Sequence, residues 1–202
     1  CNLGAALQDL GRTEDALASY ERAVELNANY ALAFSNRGNA LRKMGRMEEA
    51  LHSYDRALEI RPAYPEASCN RAAVLQELGR AGEALASADQ ALAGRGNYPE
   101  ALCVRGNALY SLGQFDDAVE CYNRALAING NSVEAHIGRG IALQKLRYFD
   151  EALDSYDQAI ALRPDHATTH QYRANTLRSL GRREEAIAGY QHALTLGADA
   201  GQ

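Results

Sequence analysis

A 34-residue string, ALAFSNRGNALRKMGRMEEALHSYDRALEIRPAY at residues 31–64, recurs in register along the whole chain. Copies fall at 65–98, 99–132, 133–166 and 167–200, and residues 1–30 form a copy lacking its first four positions. One alanine column runs from Ala16 to Ala186, a second from Ala23 to Ala193, and a leucine column from Leu7 to Leu177, each unbroken through all six copies. Units this short cannot enclose a core alone, so each must bury its apolar side against its neighbours. The expectation is one repeat array over residues 1–200 rather than a pair of ordinary domains.

Each unit reads as two amphipathic helices. In the second copy Phe34, Arg37, Gly38, Leu41 and Met44 form one stripe at helical spacing, and Gly45 closes the helix as glycine does in a left-handed conformation. A second helix opens near Glu48–Glu49, whose charges suit the positive end of the macrodipole. Its stripe is Ala50, Tyr54, Ala57, Leu58 and Ile60, and Pro62 stops it. Gly38, Ala50 and Ala57 remove bulk where helices approach, while Tyr54 and Leu41 fill the remaining space. The fifth copy has Arg147 in place of the turn glycine, which predicts a strained or reshaped turn. The third copy is the weakest, with Ala72, Ala81, Ala88 and Gly94 replacing larger or characteristic residues, and its second helix, about residues 83–93, is expected to bury the least area and to be a flexible point.

Composition narrows the function. A net charge of −5 argues against nucleic acid as a partner. No apolar run approaches a membrane span, and no signal peptide opens the chain. Of 21 basic residues only Lys43 and Lys145 are lysine, in keeping with a GC-rich, bacterial genome. The four cysteines lack CxxC spacing. Cys1, Cys69 and Cys103 share one repeat position, too far apart for a disulfide between stacked helices, which fits reduced thiols in a cytoplasmic protein. No metalloprotease, phosphate-loop or nucleophile-elbow motif occurs, so no enzyme activity, cofactor or metal is expected. His166 and His170, four apart, with His136 one repeat earlier, allow a surface metal cluster. The alternative is that His136 and His170 fill the aromatic slot held by Phe34. Gly138 and Gly140, inside a helix pattern, read as close packing.

Gly-Asn-Ala-Leu, Leu/Met-Gly, Glu-Glu-Ala, Tyr and Ala-Leu-Glu-Ile-x-Pro, at these spacings, resemble the tetratricopeptide repeat. The resemblance covers all six copies. It implies an all-α fold, a right-handed superhelical solenoid of antiparallel helix pairs in which the first helix of each pair lines a concave groove. It also implies a non-catalytic scaffold or adaptor that holds protein or peptide segments there.

On the first helix of the second copy, Leu32, Asn36, Asn39 and Lys43 lie opposite the packing stripe. Followed along the array they give one asparagine series, Asn2, Asn36 and Asn70, and a second, alternating series, Asn39, Asn107 and Asn175. An amide offers both donor and acceptor and can hold a peptide backbone, so these six are the candidate peptide-binding residues. The alternative is that they are solvated or bond between repeats. The first series is similar, over three copies, to the asparagine ladder of O-linked N-acetylglucosamine transferases. The chaperone-tail clamp of other family members does not fit: Asn39 and Asn70 match it, but Ser35, Glu100 and Val104 stand where Lys, Lys and Arg are needed, and Glu66, Glu100 and Glu134 would repel a carboxylate. Arg37, Arg71, Arg105, Arg139 and Arg173 form a further column on the buried stripe. They read either as structural partners of acids such as Asp55, Asp89 and Asp157 or as a ladder for an acidic ligand.

Cys1 opens inside a first helix, and GADAGQ closes the chain without a polar capping helix. The array is therefore expected to belong to a longer chain, with apolar surface at Tyr190, Leu194 and Leu196. Two alternatives to the plain scaffold follow: a substrate-targeting arm of a larger glycosyltransferase of the O-linked N-acetylglucosamine type, and end-to-end self-association.

Overall fold

A computed structural model of the chain describes residues 1–199. The end of the sixth copy at residue 200 and the last residues of GADAGQ lie outside the described residues. The described residues form twelve helices and no strand. In chain order they are α1 (Asn2–Asp9), α2 (Thr13–Leu26), α3 (Ala31–Lys43), α4 (Met47–Ile60), α5 (Pro65–Glu77) and α6 (Ala81–Gly94). They continue with α7 (Pro99–Ser111), α8 (Phe115–Ile128), α9 (Val133–Lys145), α10 (Phe149–Leu162), α11 (Ala167–Ser179) and α12 (Arg183–Asp199). Odd helices are the first, and even helices the second, of each repeat. The chain divides into two compact units, Cys1–Arg105 and the residues from Gly106 onward, with the boundary inside α7.

Within the units α3, α5, α9 and α11 each pack between their own second helix and that of the preceding repeat, as in α2·α3·α4 and α8·α9·α10. The invariant alanines make this approach possible: Ala50, Ala84, Ala118 and Ala152 are wholly buried. The turn between the two helices of a repeat is closed the same way each time. In the second copy the Gly45 N–H donates to Arg42 O and the Arg46 N–H reaches back to Leu41 O, both at 2.9 Å, a pair of bonds that needs a left-handed residue between them. Gly45 supplies it with φ of 76°.

Arg147 occupies that turn position with φ of 68°, close to its glycine counterparts. Its turn keeps both bonds, Arg147 N–H to Gln144 O and Tyr148 N–H to Leu143 O. Of the two outcomes foreseen for this turn, the strained one is found, at a steric cost of about 1–2 kcal/mol for a side chain in that region. The third copy keeps its second helix in full, α6, because Ala84, Ser87, Ala88 and Ala91 are buried on it.

Candidate functional site

The site is built outward from a buried tyrosine. Tyr20, Tyr54, Tyr122 and Tyr156 are each almost wholly buried, and each ring lies flat against a glycine of its own first helix. A Cβ added at Gly4, Gly38 or Gly140 would sit 2.6 Å from a ring carbon, and at Gly106 2.8 Å. Where the tyrosine is missing, in the third copy, glycine is missing too: Ala72 faces Ala88, and both are fully buried. The two positions exchange volume in that copy, whereas the sixth copy keeps Tyr190 with Ala174 at the glycine position.

A buried phenol must still donate its proton. Tyr54 donates to Asn39 Oδ1, Tyr122 to Asn107 Oδ1 and Tyr190 to Asn175 Oδ1, each at 2.7 Å. In the first and fifth copies Ala5 and Ile141 stand in the asparagine column, and the acceptor comes from one turn further along the same helix. Tyr20 donates to Gln8 Oε1 at 3.0 Å, and Tyr156 to Gln144 Oε1 at 3.3 Å. Burial pushes the Tyr54 and Tyr156 hydroxyls well above the usual phenol range, so they remain donors. With the oxygen of each amide turned inward to the phenol, the –NH2 of Asn39, Asn107, Asn175, Gln8 and Gln144 is left without a partner among the described residues.

The sequence-predicted residues therefore divide. Asn39, Asn107 and Asn175 are tied to tyrosines through oxygen and keep a donor face. Asn70 Nδ2 donates to Asn39 Oδ1 at 2.9 Å and Asn36 Nδ2 to Cys1 Sγ at 3.6 Å, both bonds between neighbouring repeats. Asn2 is exposed on α1. The Asn36 column continues as Gly138, whose Cβ would meet Tyr122 at 2.6 Å, and Tyr172, stacked on Tyr156 with centroids 5.9 Å apart. It is a column of contacts to the preceding repeat, made to its tyrosine by Gly138 and Tyr172 and to Cys1 and Asn39 by Asn36 and Asn70. Gln8 and Gln144 escaped the sequence reading, although glutamine stands three residues beyond each gap in the asparagine series and so signals the substitution.

The arginine column holds repeats together. Arg71, Arg105 and Arg173 pair with Asp55, Asp89 and Asp157 of the preceding repeat at 2.6, 2.7 and 2.5 Å, and Arg37 reaches Glu21 at 3.6 Å. Arg139 meets Asn123 Oδ1 at 3.2 Å and Ser155 Oγ at 3.0 Å instead of a carboxylate, and burial lowers its pKa.

The histidines serve the backbone. His136 Nε2 lies 3.0 Å from Gly130 O, and His170 Nε2 2.8 Å from Pro164 O, so both anchor the loop before their helix. Burial, reinforced by Arg139, lowers the His136 pKa against the opposing pull of the Gly130 carbonyl. Among the described residues no group of three or more His, Cys, Asp or Glu is placed to hold a metal. Cys69 is buried, which pushes its thiol up to about 11 and keeps it protonated at neutral pH. Glu66 and Glu134 pair with Arg95 and Arg163, both at 3.4 Å.

Each unit has a hollow on its first-helix side. In the first unit Asn39, Arg42, Lys43 and Glu77 line about 300 Å³. In the second, Tyr110, Gln144, Lys145, Arg147, Phe149, Tyr172 and Asn175 are among the residues lining about 440 Å³. No helix among the described residues is long and apolar enough to cross a membrane.

Comparison with known families now agrees with this geometry. Residues 4–45, 38–79 and 106–146 match the TPR repeat family, and residues 133–166 match the tetratricopeptide repeat. The chain belongs to the tetratricopeptide-repeat family. Among solved structures, YrrB, described as a tetratricopeptide-repeat protein with an unusual peptide-binding site, is 26% identical with a TM-score of 0.69, over 89% of this chain and 93% of YrrB. TTC0263, a thermophilic repeat protein of Thermus thermophilus, is 28% identical with a TM-score of 0.70, over 82% of this chain and 91% of its own. A tetratricopeptide-repeat protein from Parabacteroides merdae is 25% identical with a TM-score of 0.80, over 96% of this chain and 77% of its own. No curated protein matches the chain. The family is one of protein-interaction scaffolds.

Proposed function

We propose that this tetratricopeptide-repeat chain is a non-catalytic interaction module that holds an extended peptide along the faces of its first helices. One observation carries the reading. Five amides, Gln8 and Asn39 in the first unit and Asn107, Gln144 and Asn175 in the second, accept from a tyrosine through oxygen and leave their –NH2 groups without a partner among the described residues. Fixed donors of this kind suit the carbonyl groups of an extended backbone, because their orientation is set before the ligand arrives. The similarity to YrrB, itself described as having a peptide-binding site, supports the same reading.

The test exploits the asymmetry of the amide. Asn107→Asp and Asn175→Asp keep the oxygen that Tyr122 and Tyr190 need and replace the outward donor by an acceptor. Peptides selected from a random display library on the unaltered protein should lose affinity about tenfold on the double variant, the scale of hydrogen bonds lost to a repelling group. Helicity should be unchanged. Equal affinity would remove the amides from the site, and a library yielding no ligand would count against peptide binding altogether.

A further inference from the structure

We infer that the hollow of the second unit is a specificity pocket for an aromatic side chain flanked by carboxylates in a bound peptide. This rests on the peptide-binding reading above and adds the class of residue recognised. The argument begins with charge. The hollow contains Lys145 and Arg147 and no Asp or Glu in its lining. Neither cation is ion-paired among the described residues: Lys145 makes no salt bridge there, and the Arg147 head group rests on the Phe149 ring, 5.6 Å from Cζ to centroid. This stands out in a chain of net charge −5, where most arginines face a carboxylate. The corresponding hollow of the first unit holds an acid beside its two cations, with Arg42 bridged to Glu77 at 2.5 Å.

The position of Glu77 becomes Ser111, Lys145 and Ser179 in the later copies, so the acid is absent where the second hollow forms. The donor faces of Gln144 and Asn175 point the same way chemically. Their oxygens are engaged by Tyr156 and Tyr190, so what they offer a ligand is N–H. Two unpaired cations and two oriented donors make a site for carboxylate oxygen.

The walls add the aromatic component. Tyr110, held against Phe115 with centroids 5.3 Å apart, Tyr172, stacked on Tyr156, and Phe149 surround about 440 Å³. That volume is at the lower end of the range for ligand pockets. Edge and face contacts among such rings favour an aromatic guest over an aliphatic one. Arg147 also holds the left-handed turn conformation that glycine takes in the other copies, and strain of this kind is characteristic of ligand sites.

Fluorescently labelled peptides with a Gly-Ser frame and a central Glu-Phe-Glu, Lys-Phe-Lys or Glu-Ser-Glu test the assignment by anisotropy. Glu-Phe-Glu should bind about tenfold or more tighter than either control, the scale of one charge-assisted hydrogen bond or one buried ring. Arg147→Gly installs the residue of the five other turns, and Lys145→Ser that of two neighbouring copies, so both variants should fold. Each should weaken Glu-Phe-Glu several-fold, more at low than at high salt, and should not weaken Lys-Phe-Lys, whose repulsion it relieves. Glu-Phe-Glu binding no tighter than Lys-Phe-Lys, or unaltered by the double substitution, overturns the pocket assignment. If display-selected peptides still bind in that event, the wider peptide-binding reading stands without it.

Discussion

The glycine–tyrosine contact is a quantitative claim, and Gly140 with Tyr156 is the place to test it. A Cβ at Gly140 would lie 2.6, 2.8 and 2.9 Å from three carbons of the Tyr156 ring, which is itself wholly buried. Gly140→Ala therefore overpacks the contact, at about 1–3 kcal/mol, while alanine gains about 1 kcal/mol in helix propensity. The net single effect is a destabilisation of about 0–2 kcal/mol, too broad to decide anything alone. Tyr156→Ala removes a buried ring and should cost about 3–5 kcal/mol by analogy with other aromatic truncations. The double variant rebuilds the pair that Ala72 and Ala88 already form in the third copy, so the clash disappears and the propensity gain remains. The cycle should then show a favourable coupling of about 1–3 kcal/mol between the two substitutions. The loss of the Tyr156 bond to Gln144 occurs in both legs with the tyrosine removed and cancels. Urea denaturation followed by helical circular dichroism, with the slope compared across the four proteins, measures it. Effects additive within about 0.5 kcal/mol would show that ring and glycine are not in contact and would refute the volume exchange.

Three further outcomes follow from the same structure. Asn39→Ala should destabilise by about 1–3 kcal/mol, since the buried Tyr54 hydroxyl and the Asn70 amide both lose their acceptor; adding Arg42→Gln, the arrangement of the first and fifth copies, should recover part of the loss in the same denaturation assay. Asn123→Asp gives Arg139 the carboxylate its column has elsewhere and should raise stability by a few tenths to about 1 kcal/mol, a gain that high salt should erase. His136 has a pKa below its ordinary value because it is buried, so the folded state binds its proton less readily than the unfolded chain does. Its contribution is present above the unfolded pKa, about 6.5, and is lost as pH falls through that value toward the folded pKa. The fall in denaturation midpoint between neutral and mildly acidic pH should therefore shrink in His136→Phe, the residue type that Phe34 provides in the same slot.

What the sequence disclosed and what it concealed have one physical origin. Features that occupy a single column were legible, because a 34-residue period repeats the same observation: the helix pairs, the turn glycines, and the burial of Ala50 and its equivalents. The role of Asn39, Asn107 and Asn175 was not legible, because it is shared between two columns. Asparagine, or a glutamine three residues on, reaches the same phenol from one helix face, and read singly the asparagine column looks like an interrupted ladder. Arg147 announced a missing glycine but not its consequence, which depended on whether the two backbone bonds of the turn outweigh the steric cost of a left-handed arginine. The cationic hollow was invisible for a different reason: Tyr110, Lys145, Arg147 and Tyr172 come from three repeats and four columns, and only packing brings them together.

These columns also explain how such a chain can change its ligand without losing its fold. The groups that fix the stack face inward and vary little, and in the third copy they vary as a pair, Ala72 with Ala88. The amide column serves both purposes at once, since the oxygen that satisfies the buried tyrosine necessarily turns the –NH2 outward. A donor face is therefore a by-product of the packing itself, present wherever the tyrosine has an amide partner. Selectivity must then come from neighbouring columns that make no bond to the tyrosine: the position of Lys43 becomes Glu77, then Ser111, then Lys145 and then Ser179. Substitutions in those columns should move ligand preference while leaving the denaturation midpoint almost where it was, whereas substitutions at the amide or the tyrosine should move both together.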